Sequence, residues 1–329
     1  MVSRSTLVAA LVVTELALAG MAVKAIAGPG ASPGQPPVAN PPHSHFGWHA
    51  HPFATSMSGP AAPGATSGFD KRFPTGPAPH VVINTNPVDL EITAVPGNEV
   101  RVIDDVSAGG YVRGHFTKML AEATVDGVRV ASSGPHGNVF ALFGHSSHTV
   151  RITVPLDARV EVGGGGSMTI TGLRTALAAR SSDGLIRVAD HRGSLDLHAT
   201  DGRIELSDVV ADSIIASTND GRLIFDRVNA PHLDARTSSG SIRASAMRVT
   251  DGVLATNDGR VTVAFAPESN AVVAVSTNDG HIRLQAPLTG NEDGSMSRML
   301  TIGAGAGRFT LHTDNGSVTL SQGATAPHE

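Results

Sequence analysis

The tetrapeptide Thr-Asn-Asp-Gly occurs at residues 218–221, 256–259 and 277–280, and looser copies surround it: Ser182-Asp183-Gly184, Thr200-Asp201-Gly202, Ser238-Ser239-Gly240 and Asp314-Asn315-Gly316. Gly202, Gly221, Gly240 and Gly259 follow one another at intervals of 19 residues; the next interval, to Gly280, is 21, and upstream Gly184, Gly193 and Gly202 are 9 apart. A fixed period with a visible half-period marks a stacked repeat. One short unit cannot bury its apolar side alone and must lean on its neighbours.

Each copy carries apolar residues at the second and fourth positions after its glycine: Ile204 and Leu206, Leu223 and Phe225, Ile242 and Ala244, Val261 and Val263, Ile282 and Leu284, Val318 and Leu320. A second pair precedes the glycine, at the seventh and fifth positions back: Ile214 and Ala216, Leu233 and Ala235, Val273 and Val275, Phe309 and Leu311. Alternation of this kind buries one side of a strand and wets the other. The reading is all-β: a β-solenoid of about 19-residue coils with two short strands per coil, rising about 4.8 Å per coil. The reversal between strands falls to Asp183, Gly184, Asp201, Gly202, Asp220, Gly221, Gly240, Asp258, Gly259, Asp279, Gly280, Asn315 and Gly316. There Asx side chains hydrogen-bond their own backbone, and the glycines are expected at positive φ. A ladder of antiparallel hairpins also fits the Asp-Gly signal. It does not require equivalent side chains to recur at one strict period, whereas stacked coils do.

Composition agrees with a narrow, regular core. The 329 residues are 40% hydrophobic but only 4% aromatic, with 37 glycines, so small and β-branched side chains must do the packing. A formal net charge of −5 argues against a nucleic-acid partner, which calls for a basic excess or stripe. There is no cysteine, which excludes disulfides, thiolate chemistry and a lipidated-cysteine anchor.

Residues 1–27 read as an export signal. Arg4 precedes a largely apolar run from Leu7 to Val23, and Ala25-Ile26-Ala27 has the form of a cleavage site; uncleaved, the segment would be a single membrane anchor. Residues 28–78, rich in Pro, Gly, Ala, Ser and His, read as a disordered tether. Residues 79–159 read as a β region capping the solenoid, 160–322 as the repeats and 323–329 as a tail. Within the cap, Phe116 to Glu122 suggests one helical turn and Ser132 to Ser147 an irregular loop. Leu311 to Leu320 is expected to close the other end.

Stacking at this period sets up columns: Thr218, Thr237 and Thr256; Asp201, Asp220 and Asp258; Arg203, Arg222 and Arg260. Calcium in the turns is disfavoured, because the nine-residue Gly-Gly-x-Gly-x-Asp repeat is absent and most turns hold one carboxylate. His43, His45, His49 and His51 form the one metal-binding candidate, a tract without an orienting second shell, read as a polar linker. No cofactor is implied. Catalysis finds little support: Glu205 and Glu268 are the only glutamates between Val162 and Asn291, and Gly163 to Gly166 lacks the Lys-Ser/Thr of a phosphate loop.

The pattern T-x-N/D-G-x-I-x-L, written here as STNDGHIRL and HTDNGSVTL, resembles the putative adhesin family of bacterial envelope proteins, a β-solenoid domain of unknown function. Val150 to Val162 resembles its opening strand and Gly303 to Leu320 its closing coil. The resemblance covers about residues 80–322 and departs at Ser238-Ser239-Gly240 and at the 21-residue interval. The family's name implies surface attachment, and the family has no agreed catalytic residues to carry over. The expected function is therefore a non-enzymatic module at the cell envelope or outside the cell, presenting a repetitive β surface to a glycan, envelope polymer or protein. An envelope-stress or regulatory component docking a membrane partner is the alternative, and a carbohydrate-active enzyme a third.

Overall fold

The computed structural model describes residues 68–86, 88–133, 138–288 and 296–323. The expected export segment, the histidine tract and most of the tether lie outside the described residues, as do positions 324–329. Among the described residues there are strands and no helix.

Along the chain come β1 (Asp70–Pro74), β2 (His80–Thr85), β3 (Asp89–Val95), β4 (Glu99–His115), β5 (Lys118–Ala123), β6 (Gly127–Ser133), β7 (Asn138–Pro155), β8 (Arg159–Gly164), β9 (Met168–Thr171) and β10 (Leu177–Ser181). Then follow β11 (Leu185–Ala189), β12 (Leu195–Ala199), β13 (Arg203–Val210), β14 (Ser213–Thr218), β15 (Leu223–Thr237), β16 (Ile242–Asp258), β17 (Val261–Phe265), β18 (Ala271–Leu284), β19 (Ser297–Ile302) and β20 (Gly307–Gln322).

Two ladders run through these strands. The first is β5-β6-β2-β8-β10-β12-β14-β15-β16-β20-β18-β19, and only its terminal pairs, β5–β6 and β18–β19, are antiparallel. The second is β1-β4-β7-β3-β9-β11-β13-β15-β16-β17-β20-β18, antiparallel only at β1–β4 and β4–β7. Register follows the repeat: Ile214 lies beside Leu233, Leu223 beside Ile242 and Ile242 beside Val261. Parallel pairing of consecutive coils is the solenoid arrangement; hairpins are confined to its ends.

The core lies between the ladders. Both apolar pairs of each coil point inward, and Ile204, Leu223, Phe225, Ala235, Val261, Val273, Phe309 and Leu311 are wholly buried. Phe265 and Phe309 meet edge to face, with centroids 5.9 Å apart. With so few aromatics, each coil contributes mainly Val, Ile, Leu and Ala. Full burial of one of the larger aliphatic side chains is worth roughly 1.5–3 kcal/mol.

Chain order and stacking order part company at both ends. The coil of β2 and β3 does not begin the stack: it sits between β8/β9 on one side and β6/β7 on the other. At the far end β20 is inserted between β16/β17 and β18, and β19 covers β18. The 21-residue interval before Gly280 follows from this. Gly280 stacks on Gly316 and not on Gly259, so the chain must step out one extra layer to leave room for the coil that comes last.

Several sequence expectations change accordingly. Leu311 to Leu320 is an interior coil and not the cap; the antiparallel β19 is. Residues 80–95 belong to the stack, so the parallel ladders begin well before 160. Asp70–Pro74 pairs with β4 although it falls in the stretch read as tether. Phe116 to Glu122 forms no helical turn, since Lys118–Ala123 is a strand paired with β6. Within Ser132 to Ser147, β7 begins at Asn138, where β4 supplies a partner from His115 backwards.

Candidate binding surface

The sequence-predicted turns line one edge of the stack, where the first ladder hands over to the second. Thr218, Thr237, Thr256, Thr277 and Thr313 are buried there, and each hydroxyl donates to carbonyl oxygens of the adjoining coil. Thr218 reaches Thr200 O at 3.1 Å and Gly202 O at 3.2 Å, Thr237 reaches Asn219 O at 3.1 Å, and Thr313 reaches Gly259 O at 3.2 Å. The threonine column is thus a series of rungs between coils, satisfying buried carbonyls.

The expected reason for the glycines is not the one the structure gives. Gly184, Gly202, Gly221, Gly240, Gly259, Gly280 and Gly316 do not lie at positive φ. A Cβ on Gly221 would fall on the carbonyl oxygen of Gly202, one on Gly240 on that of Gly221, and one on Gly259 on that of Gly240. Close approach of stacked backbones, and not a left-handed turn, requires glycine here. Asp183, Asp201, Asp220, Asp258 and Asp279 stay at the exposed rim. Asp258 accepts from Asn315 Nδ2 at 2.7 Å, an exposed rung of the same stack. Among the described residues no three His, Asp or Glu side chains are brought together at metal-holding distance.

Left-handed backbone is found at the opposite corner, which sequence reading missed. Gly172, Asp190, Asp208, Arg227 and Ala246 recur at intervals of 18 or 19 residues, with φ of 85°, 50°, 54°, 51° and 48°. Gly172, Asp190 and Asp208 are of types that tolerate this conformation, but Arg227 and Ala246 are not, so no single residue pattern announced the column. Arg227 Nε and Nη2 bind both oxygens of Asp208, at 2.6 and 2.7 Å, and Arg227 also pairs with Asp226. The guanidinium hydrogen bonds hold the Asp208 carboxyl below its ordinary range.

Beside this corner a cleft of about 500 Å³ is lined by residues including Arg174, Asp190, His191, Arg192, Asp208 and Arg227. His191 is 1% exposed, and its Nε2 lies 3.1 Å from Gly193 O. Burial pushes its pKa down to about 4, against the raising effect of backbone hydrogen bonds at Gly193 and Ser194. It is a neutral core histidine near physiological pH.

The outward side of the second ladder carries charge in two registers. In the first, Arg203, Arg222, Ser241, Arg260, Ser317 and His281 follow from coil to coil; in the second, two residues along each strand, Glu205, Ile224, Arg243, Thr262, Thr319 and Arg283 do. Towards the β13 end the charges are matched. Glu205 is gripped by Arg187 at 2.7 Å and Arg203 at 3.1 Å; burial works to raise its pKa, and the two guanidinium contacts more than offset this and lower it. Beyond β13 they are not matched. Among the described residues Arg222, Arg243, Arg260 and Arg283 enter no ion pair, and all four are exposed. Arg222, Arg243 and Arg260 surround a hollow of about 360 Å³ completed by Ile224, Ser241, Ile242 and Thr262.

Among the described residues Asp190 and Asp208 share the cleft beside the left-handed corner, where Asp208 is held by Arg227; the glutamates of the repeats lie elsewhere. Glu205 is held on the outside by two arginines, and Glu268, at the bend after β17, pairs with Arg248 at 3.5 Å. Fold and surface together define a repeat-built parallel β-solenoid whose turns serve stacking and whose polar chemistry is spread along its exterior. The chain belongs to the Toastrack DUF4097 family, whose model matches residues 80–321. No curated protein matches the chain. Solved structures similar to it include a putative adhesin from Parabacteroides distasonis, at 14% identity over 78% of this chain and 97% of that one, with a TM-score of 0.47. Another, from Parabacteroides merdae, shares 11% identity over 79% and 96%, also with a TM-score of 0.47. A third, from Bacteroides fragilis, shares 9% over 78% and 97%, with a TM-score of 0.40.

Proposed function

We propose that this chain is an exported, non-enzymatic binding module of the cell envelope, adhesin-like in that a long ladder surface holds an envelope component. The observation that carries the reading is the division of labour in the coils. Thr and Gly at the turns are committed to stacking, Glu205 and Glu268 sit in separate exterior ion pairs, and Asp208, which shares a cleft with Asp190, has both oxygens held by Arg227, which leaves it ill suited to the acid–base pair that glycoside chemistry requires. What remains for function is the regular outer face. The Pro- and Gly-rich stretch ahead of the solenoid suits a tether that lets this face reach its target.

The test is affinity capture with the full chain as bait and solubilised envelope fractions, both polymer and protein, as prey. Retention of a discrete component above that on an unrelated β-solenoid is expected. Retention of nothing, or turnover of a polysaccharide by purified protein, would overturn the reading.

A further inference from the structure

We infer that the arginine-lined hollow on the second ladder is a binding site for an anionic glycan, held through oxyanions repeated along the sugar chain; this deepens the binding-module reading and rests on it. Arg222 and Arg260 occupy one register position, two coils apart, with Ser241 between them. Arg243 lies two residues along the middle strand, with Ile224 and Thr262 as its neighbours in the stack. The three guanidiniums therefore zigzag. Like charges directly opposite, at about 4.8 Å, are destabilising, and the staggered placing moves nearest neighbours to the diagonal, at about 8 Å. The arrangement keeps positive charge dense while sparing the fold the worst repulsion.

The middle coil is the one that departs from the repeat. Ser239 stands where its neighbours carry Asp220 and Asp258, so the carboxylate column is broken beside the hollow. Asp220 and Asp258 remain at the turn rim, in no ion pair with Arg222 or Arg260, and Asp226 is engaged by Arg227 and by Ser245 Oγ at 2.6 Å. The hollow is left with three uncommitted guanidiniums and two hydroxyls, Ser241 and Thr262. Guanidinium forks match carboxylate and phosphate oxygens in two-point contacts, and hydroxyls suit sugar oxygens. No aromatic lines the hollow, so the stacking platform on which single-stranded nucleic acid rests is missing. Further along the same face Ser317, Thr319, His281 and Arg283 continue the mixture of hydroxyl and cation, giving a chain of sugars a track to follow.

The experiment uses the full chain and four probes: polygalacturonate, phosphomannan, neutral dextran and a dT30 oligonucleotide. Binding to one or both charged glycans is expected, weakening as salt rises, with none to dextran. Comparison of the first two probes tells a carboxylate ligand from a phosphodiester one. Arg243→Gln should weaken binding about tenfold, as loss of a charged hydrogen-bonded contact does, and the triple change with Arg222→Gln and Arg260→Gln should abolish it. The control pair Arg174→Gln and Arg192→Gln, which removes charge elsewhere, should leave it unchanged. All five positions are exposed, so unchanged thermal melting is expected to accompany each variant. Equal binding by the triple variant, equal loss in the control pair, no binding to either charged glycan, or tighter binding to dT30 would overturn the inference. An envelope component captured equally by wild type and the triple variant would sink this site and leave the module reading standing.

Discussion

At the scale of single residues, the repeated glycine is required for space. Gly221→Ala should cost about 1–3 kcal/mol, because the new methyl meets the Gly202 carbonyl and the coils must part. Gly97→Ala, with nothing within 4 Å of the added atom, should change stability by less than about 0.5 kcal/mol; urea titrations of the two variants would compare them. His191 supplies a pH prediction. Its folded pKa of about 4 lies below the ordinary 6.5, so the unfolded chain takes up the proton first. Stability is then full above about pH 6.5 and falls by up to about 3 kcal/mol as pH drops towards 4. His191→Gln should flatten that slope in denaturation curves taken between pH 7 and 4.5. The glycine positions were legible from their spacing, yet their cause was not, since sequence shows that a residue recurs and not which atom of the next coil it must avoid.

At the scale of elements, paired apolar positions on either side of each glycine marked the two strands of every coil, because alternation is a local property of the chain. The corner between β13-type strands and the next was illegible for the opposite reason: Asp190 and Asp208 suit a left-handed φ, but Arg227 and Ala246 adopt it with no sequence signal. Such a backbone costs a residue with a Cβ about 1–2 kcal/mol. Ala246→Gly should therefore stabilise the protein, by about 0.5–1 kcal/mol after the greater freedom of glycine in the unfolded chain is allowed for. A rise in melting temperature would check it, and a fall would show that the methyl packs usefully. The first half of β7 was read as loop because Gly, Ser and His interrupt any alternation there. It is a strand because β4 offers a distant partner, and long-range pairing overrides weak local preference. The arginine surface was half legible: Arg203, Arg222 and Arg260 appeared as a column, but Arg243, one register along, joins them only once strands are laid side by side.

At the scale of the whole molecule, the two inserted coils set this solenoid apart from an open repeat array, where terminal units contact one neighbour and fray. β20, the last of the described strands, has a coil on each side. Removing residues 307–329 should not shorten the stack by one layer. It should leave β16 and β17 facing β18 across a missing coil and expose Phe265, Leu254 and Val273, so the truncated chain is expected to lose cooperative melting or aggregate. Hydrogen exchange on the intact protein should place the amides of β20 among the slowest; fast exchange there would contradict the insertion. The interleaved order of coils was invisible in the repeat itself, whose only trace of it is the 21-residue interval.

That interleaving has a consequence for how the molecule is made. A chain released from the ribosome amino end first can wind its middle coils as they appear, but the layer formed by 271–284 has no seat until residues 307–322 arrive beneath it. Completion waits for residues 307–322, after which the coil they form cannot peel away without prising two layers apart. The latch that is fastened last becomes the hardest to undo.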